Sequence, residues 1–188
     1  MHPAEHRALR ELGAFAGQLG RHWTSLAERL GGDEATLLRA GADDARALLA
    51  GLEPLIAERG LAARPAAQVA GAFVTPRPLL GDRLLERNQA LRFAVLDVQH
   101  CVTLLGYLGR LAAADGDKPL EAFLGEWELR LRRHEEAVRE AAVAAGDRPD
   151  AAVEPADRSP AGRAGQRLSS SLGAVGEWVD ARLTLRRR

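Results

Sequence analysis

The sequence predicts an all-α protein: two long helical hairpins joined by a long connection, followed by a fifth helix. Three observations predict it. Apolar residues recur at intervals of three and four along most of the chain, and β-branched residues are scattered. Two short turns, GGD at 31–33 and ADGDKP at 114–119, separate pairs of long periodic stretches. Two proline-bearing segments, 61–80 and 147–161, interrupt the periodicity.

The first helix is expected from about Pro3 to Leu30, with Leu9, Leu12, Ala16, Leu19, Trp23, Leu26 and Leu30 on one face. Gly31-Gly32 ends it. Asp33 is the expected cap of the second helix, about 34–59, whose seam is Leu38, Gly41, Ala45, Leu48, Leu52 and Leu55. Pro54 should kink or shorten that helix, and Gly60 closes it. LAARPAAQVAGAFVTPRPLL, residues 61–80, is expected as a connection. Asp82 should cap the third helix, about 83–114, and Asp117 the fourth, which carries Pro119 in its first turn and stops near Gly146. Residues 147–162 read as a proline-rich linker. Residues 163–188 carry a last amphipathic helix with Leu168, Leu172, Val175, Val179 and Leu183 on its face.

Loop length sets the topology. The tight turns make each pair of helices antiparallel neighbours. A helix of ~25 residues is ~38 Å long. Twenty extended residues reach ~65 Å, so residues 61–80 can run the length of the bundle. In this order of hairpin, crossover and hairpin, and in YLGRLAAADGDKPLEAFLGEWELRLRRHEEAVREAA, the chain resembles the ferritin-like superfamily of four-helix bundles over about residues 5–146. The resemblance implies the scaffold. It also implies two metal ions held by one Glu from each of two helices and Glu-x-x-His from each of the other two. This sequence departs from that pattern. The second helix has no histidine, Leu131 stands three residues before His134, and the third helix offers Asp97 in place of Glu. No di-iron centre is therefore expected.

Charge and cysteine content narrow the function classes. Lys+Arg equals Asp+Glu at 26 each, so no global field draws the chain to nucleic acid or an anionic membrane. Lys118 is the only lysine, and the Arg, Ala, Leu and Gly content fits a GC-rich bacterial genome. The lone Cys101 excludes an internal disulfide and a thiolate cluster. It falls on the main apolar face, where an inert buried thiol is expected. The N-terminus has no apolar h-region and no run approaches ~18 uncharged apolar residues, so a cytoplasmic protein is expected. There is no P-loop, Rossmann glycine pattern or G-x-S-x-G.

The candidate residues are polar groups in apolar runs. Asp97 and His100 lie at i and i+3 in FAVLDVQHCVTLLGYL. His100 falls on a second stripe of the third helix, Phe93, Leu96, His100, Leu104, Tyr107 and Leu111. That stripe should be covered by the fifth helix or a second subunit, with His100 hydrogen-bonded at the interface. His134 falls on the fourth helix's seam, Leu120, Leu124, Trp127, Leu131, His134, Val138 and Ala141, with Glu128 and Glu135 on its shoulder. A core histidine bonded to a carboxylate is the simplest role. The alternative is one weakly bound iron or other transition metal at His134, Glu135, Glu128, Asp97 and His100. His22 packs at the core edge beside Trp23, and His2 and His6 are solvated. The expected function is a non-catalytic bundle acting as a homodimer or with a protein partner, without cofactor. The alternative is a metal-binding ferritin-like protein with a reduced site around His134. A histidine phosphotransfer bundle is a third reading, but it needs an exposed His with a nearby Lys, which neither His22 nor His100 has in its window.

Overall fold

The computed structural model describes residues 2–60, 85–160 and 162–165. Four long helices account for most of them: α1 Pro3–Leu30, α2 Gly32–Glu58, α3 Arg87–Asp115 and α4 Lys118–Ala144. A 3₁₀ turn, Ala145–Asp147, and a single turn of helix, α5 Pro149–Ala152, follow. No strand occurs among the described residues beyond one isolated bridge, Glu86 with Pro155.

The expected seams build the core. Leu9, Leu12, Ala16, Trp23 and Leu26 of α1 and Leu38, Ala45, Leu48 and Leu52 of α2 are fully buried. Gly31 alone separates the two helices. It and Gly32 take φ of 64° and 66°, a region that L side chains with a Cβ avoid. Asp33 is therefore inside the first turn of α2 and not its cap; beside Glu34 it still faces the positive end of the helix. Pro54 does not end α2, which continues through it for a further turn to Glu58.

The start of α3 also differs from expectation. It begins at Arg87, and Gln89 Oε1 accepts from the Glu86 backbone N–H at 3.2 Å. Asp82 lies outside the described residues. The fourth helix starts as read: Asp117 Oδ1 accepts from the Leu120 backbone N–H at 3.1 Å, with proline in the first turn. Farther along α4 the buried row is Leu131, Glu135, Val138 and Ala142, so the seam takes Glu135 and Ala142 where His134 and Ala141 were expected. Successive steps of four, three and four match 3.6 residues per turn better than the expected steps of three, four and three.

Helix α1 packs chiefly on α2 and α3, and α4 on α3 and α2. Arg87 Nη1 donates to the Leu30 carbonyl at 2.9 Å, and His22 meets Asp97, so α3 begins where α1 ends and runs antiparallel to it. Asp44 meets His134, and Arg59 meets Asp117, so α2 and α4 are antiparallel as well. It follows that α2 and α3 point the same way. Gly60 and Leu85 sit at opposite ends of the bundle. The expected crossover itself, 61–80, lies outside the described residues.

Residues 147–160 are more than a linker. Arg87 N–H donates to the Glu154 carbonyl at 2.8 Å, Ala156 N–H donates to the Leu85 carbonyl at 3.0 Å, and Ala156 is buried. Backbone pairing thus fastens this segment to the start of α3. The expected fifth helix is described only as far as Gly165. Among the described residues, α3 is the one helix long and apolar enough to cross a membrane by length and composition; half of its most apolar window is buried inside the bundle.

Candidate functional site

Three histidines each meet a carboxylate of the other hairpin. His22 of α1 is buried, and its Nδ1 lies 2.6 Å from Asp97 Oδ2 of α3. His134 Nε2 of α4 lies 2.9 Å from Asp44 Oδ2 of α2. His100 Nε2 of α3 lies 3.1 Å from Glu11 Oε1 of α1, and its ring stands 4.2 Å from the Phe15 ring.

Trp23, one residue after His22, fills the core beside the first two pairs. It is fully buried. A Cβ built on Gly41 of α2 would lie 2.2 Å from Trp23 Cζ3 and 3.4 Å from His134 Cγ. The indole ring therefore takes the room that the missing side chain leaves. Cys101 lies on the buried face of α3 as expected. Burial first, and then the neighbouring Asp97 charge, push its thiol up to about 12. Such a thiol holds almost no thiolate near neutral pH.

The expected ligand set is not gathered. Asp97 turns to His22 and not to His100, its neighbour at i+3. His100, partly exposed, turns to Glu11, so its polar partner comes from the neighbouring helix α1 and not from a second interface. His134 is half-buried and paired with Asp44. Glu135 is buried and accepts from Arg139 on its own helix. Glu128 accepts from Arg132 and rests against Gly106 of α3. Among the described residues no three His, Cys, Asp or Glu side chains come together as a metal site. Sequence reading missed Glu11 and Asp44 as partners, because neither stands out within its own helix.

The expected second stripe of α3 divides in two. Leu104 is buried in the core and Leu111 packs at its edge. Leu96 and Tyr107 remain 53% and 47% exposed, with Phe93 half-buried beside Leu96. The six residues do not share one environment, because a stripe this wide straddles the groove between α1 and solvent.

A cleft of about 450 Å³ opens where α2 begins, lined by Asp33, Glu34, Arg87, Arg148, Glu154 and Arg158. Its charges largely pair among themselves: Arg87 with Glu34 at 2.8 Å, Arg158 with Glu154 at 2.9 Å. Burial raises the Glu34 carboxyl, but its own backbone N–H, Arg87 and Arg148 outweigh that and hold it below its ordinary value. Comparison of the chain with family models, curated proteins and solved structures finds no match.

Proposed function

We propose that this chain is a ferritin-like helical bundle that works by association with a second copy of itself, and not by catalysis. The observation that carries the proposal is the exposed part of the α3 stripe. Leu96 and Tyr107 are three turns apart on one side of α3, about half exposed, and flanked by Phe93 and Leu111. Full burial of a large apolar side chain contributes about 1.5–3 kcal/mol, so covering both is favourable. A twofold axis centred between them sets Leu96 of each copy against Tyr107 of the other, a self-complementary contact. The ferritin-like assignment is supported by the helix directions: two antiparallel hairpins with α2 and α3 parallel.

Light scattering of the full chain tests the proposal. Wild type should pass from monomer to dimer as concentration rises, and Leu96→Glu and Tyr107→Glu should stay monomeric. Leu104→Glu is the wrong probe, since that residue lies in the core. Unchanged dimer formation in both variants sinks the proposed surface.

One observation favours the second reading. His134 and Asp44 place a nitrogen and an oxygen 2.9 Å apart on two helices, the start of a donor set for one weakly held transition metal. Elemental analysis of untagged protein tests it. One metal per chain, lost in His134→Ala, supports this reading, and a metal-free protein removes it.

A further inference from the structure

We propose that the cleft between the start of α2 and the segment after α4 binds a small zwitterion. The ligand carries a free ammonium, a free carboxylate and an apolar body, as an apolar amino acid or a short peptide of such residues does.

The fold fixes the walls. Backbone bonds from the Arg87 N–H to the Glu154 carbonyl and from the Ala156 N–H to the Leu85 carbonyl tie the segment after α4 to the start of α3. Arg148 lies between the end of α4 and those bonds, so it is carried on a wall of its own, separate from the α2 wall that carries Asp33. The volume, about 450 Å³, falls within the range of small-molecule sites, roughly 300–1,000 Å³.

Charge selects the ligand. The lining holds three arginines and three acids. Four of these are spent on one another, Arg87 on Glu34 and Arg158 on Glu154. Arg148 and Asp33 are left. Among the described residues neither side chain forms an ion pair or a hydrogen bond, although both line the same space. Arg148 also helps to hold the Glu34 carboxyl below its ordinary value, which sets its positive charge on the cleft. Opposite charges that stand too far apart to pair are matched together by a ligand of both signs. A simple anion would suit Arg148 and meet Asp33 as a like charge, and a simple cation would do the reverse. A polyanion would meet three carboxylates.

The uncharged lining selects the body. It includes Leu37, Ala141, Ala145, Ala151 and Ala152. Alanine leaves open the space that a longer side chain would fill, and its methyl groups favour an apolar ligand side chain over a polar one.

Isothermal titration of the full-length protein with L-leucine and with the dipeptide Leu-Leu tests the site. At least one should bind saturably, and the tighter of the two sets the length of the ligand. Two analogues of leucine, and the same two of the dipeptide, separate the charges: the C-terminal amide lacks the carboxylate, and the N-acetyl form lacks the ammonium. Each should bind at least about tenfold more weakly than its parent, the loss of one charge-assisted hydrogen bond. Arg148→Gln and Asp33→Asn each alter one exposed side chain and should weaken the zwitterion by about the same factor, with circular dichroism unchanged. Ala141→Leu fills the floor, keeps every charge, and should abolish binding. No saturable binding of either zwitterion up to about 10 mM overturns the proposal. So does an amide or N-acetyl analogue that binds as well as its parent, or wild-type affinity in both charge variants.

Discussion

Gly41→Ala adds one methyl group to α2 where Trp23 already stands. Two effects oppose each other. In a helix interior alanine is favoured over glycine by about 0.8–1.0 kcal/mol. The new Cβ, however, would fall 2.2 Å from Trp23 Cζ3 and 2.6 Å from Cε3. Contacts under 3.0 Å force a shift. Here the obstacle is a rigid indole, fully buried and with no solvent side to retreat to. Overpacking of this kind costs about 1–3 kcal/mol. With a clash this close to a fixed ring the upper part of that range applies, so the net loss is about 2 kcal/mol. For a chain of this size each kcal/mol moves the midpoint by about 2–4 °C, so thermal unfolding should fall by about 4–8 °C. Gly125→Ala is the control. A Cβ there meets nothing within 4 Å, and the residue is exposed in α4, so the propensity gain should stand alone and raise the midpoint. Thermal unfolding followed by circular dichroism measures both. A Gly41→Ala midpoint equal to or above wild type refutes the packing of Trp23 against α2. Trp23→Leu should restore tolerance, making Gly41→Ala neutral or stabilising in that background.

Three further outcomes are expected. Trp23→Ala empties the centre of the core and should cost about 3–5 kcal/mol in urea unfolding, against no more than about 0.5 for a change at exposed Arg133. Glu34 ionises below its ordinary value in the folded chain. Its contribution is therefore complete above the unfolded carboxyl value of 4.5 and is lost as pH falls through the lower folded value. The gap in unfolding midpoint between wild type and Glu34→Gln should thus be widest at pH 7 and shrink below about pH 4.5; a gap that grows on acidification contradicts the pairing with Arg87. Cys101, with its thiol near 12 and no exposure, should resist Ellman's reagent in the native protein and react with one equivalent in denaturant. Rapid native reaction would place it elsewhere.

Helices were legible because their burial is periodic, and α1 shows this most plainly: all seven expected stripe residues are buried. Caps were legible only where a side chain signals by itself. Asp117 did so. The end of α1 at Gly31 was legible from its glycines, but the start of α2 at that same residue and the Glu86–Gln89 start were not, since each depends on backbone angles or on a partner three residues away that lacks the usual Ser or Thr. The segment after α4 looked like a linker because what fastens it, N–H and carbonyl groups of Leu85, Arg87, Glu154 and Ala156, carries no side-chain pattern. At the candidate site, His134 and Asp97 were found, but their partners were not. A helix face tells which residues point inward, and the rotation of the neighbouring helix decides whether its Asp44 meets the histidine.

The three histidine–carboxylate pairs have a consequence for how the hairpins find each other. Apolar seams of leucine and alanine accept many alignments, since sliding one helix by a turn, about 5.4 Å, replaces one leucine contact with another. The pairs do not accept it. His22–Asp97, His100–Glu11 and His134–Asp44 each join the first hairpin to the second, at separate heights and on two different helix–helix faces. A slide of one turn separates all three at once, and at His22 it leaves a buried polar ring facing hydrocarbon. Together they act as the teeth of a key, rejecting misaligned dockings that greasy surfaces alone would tolerate.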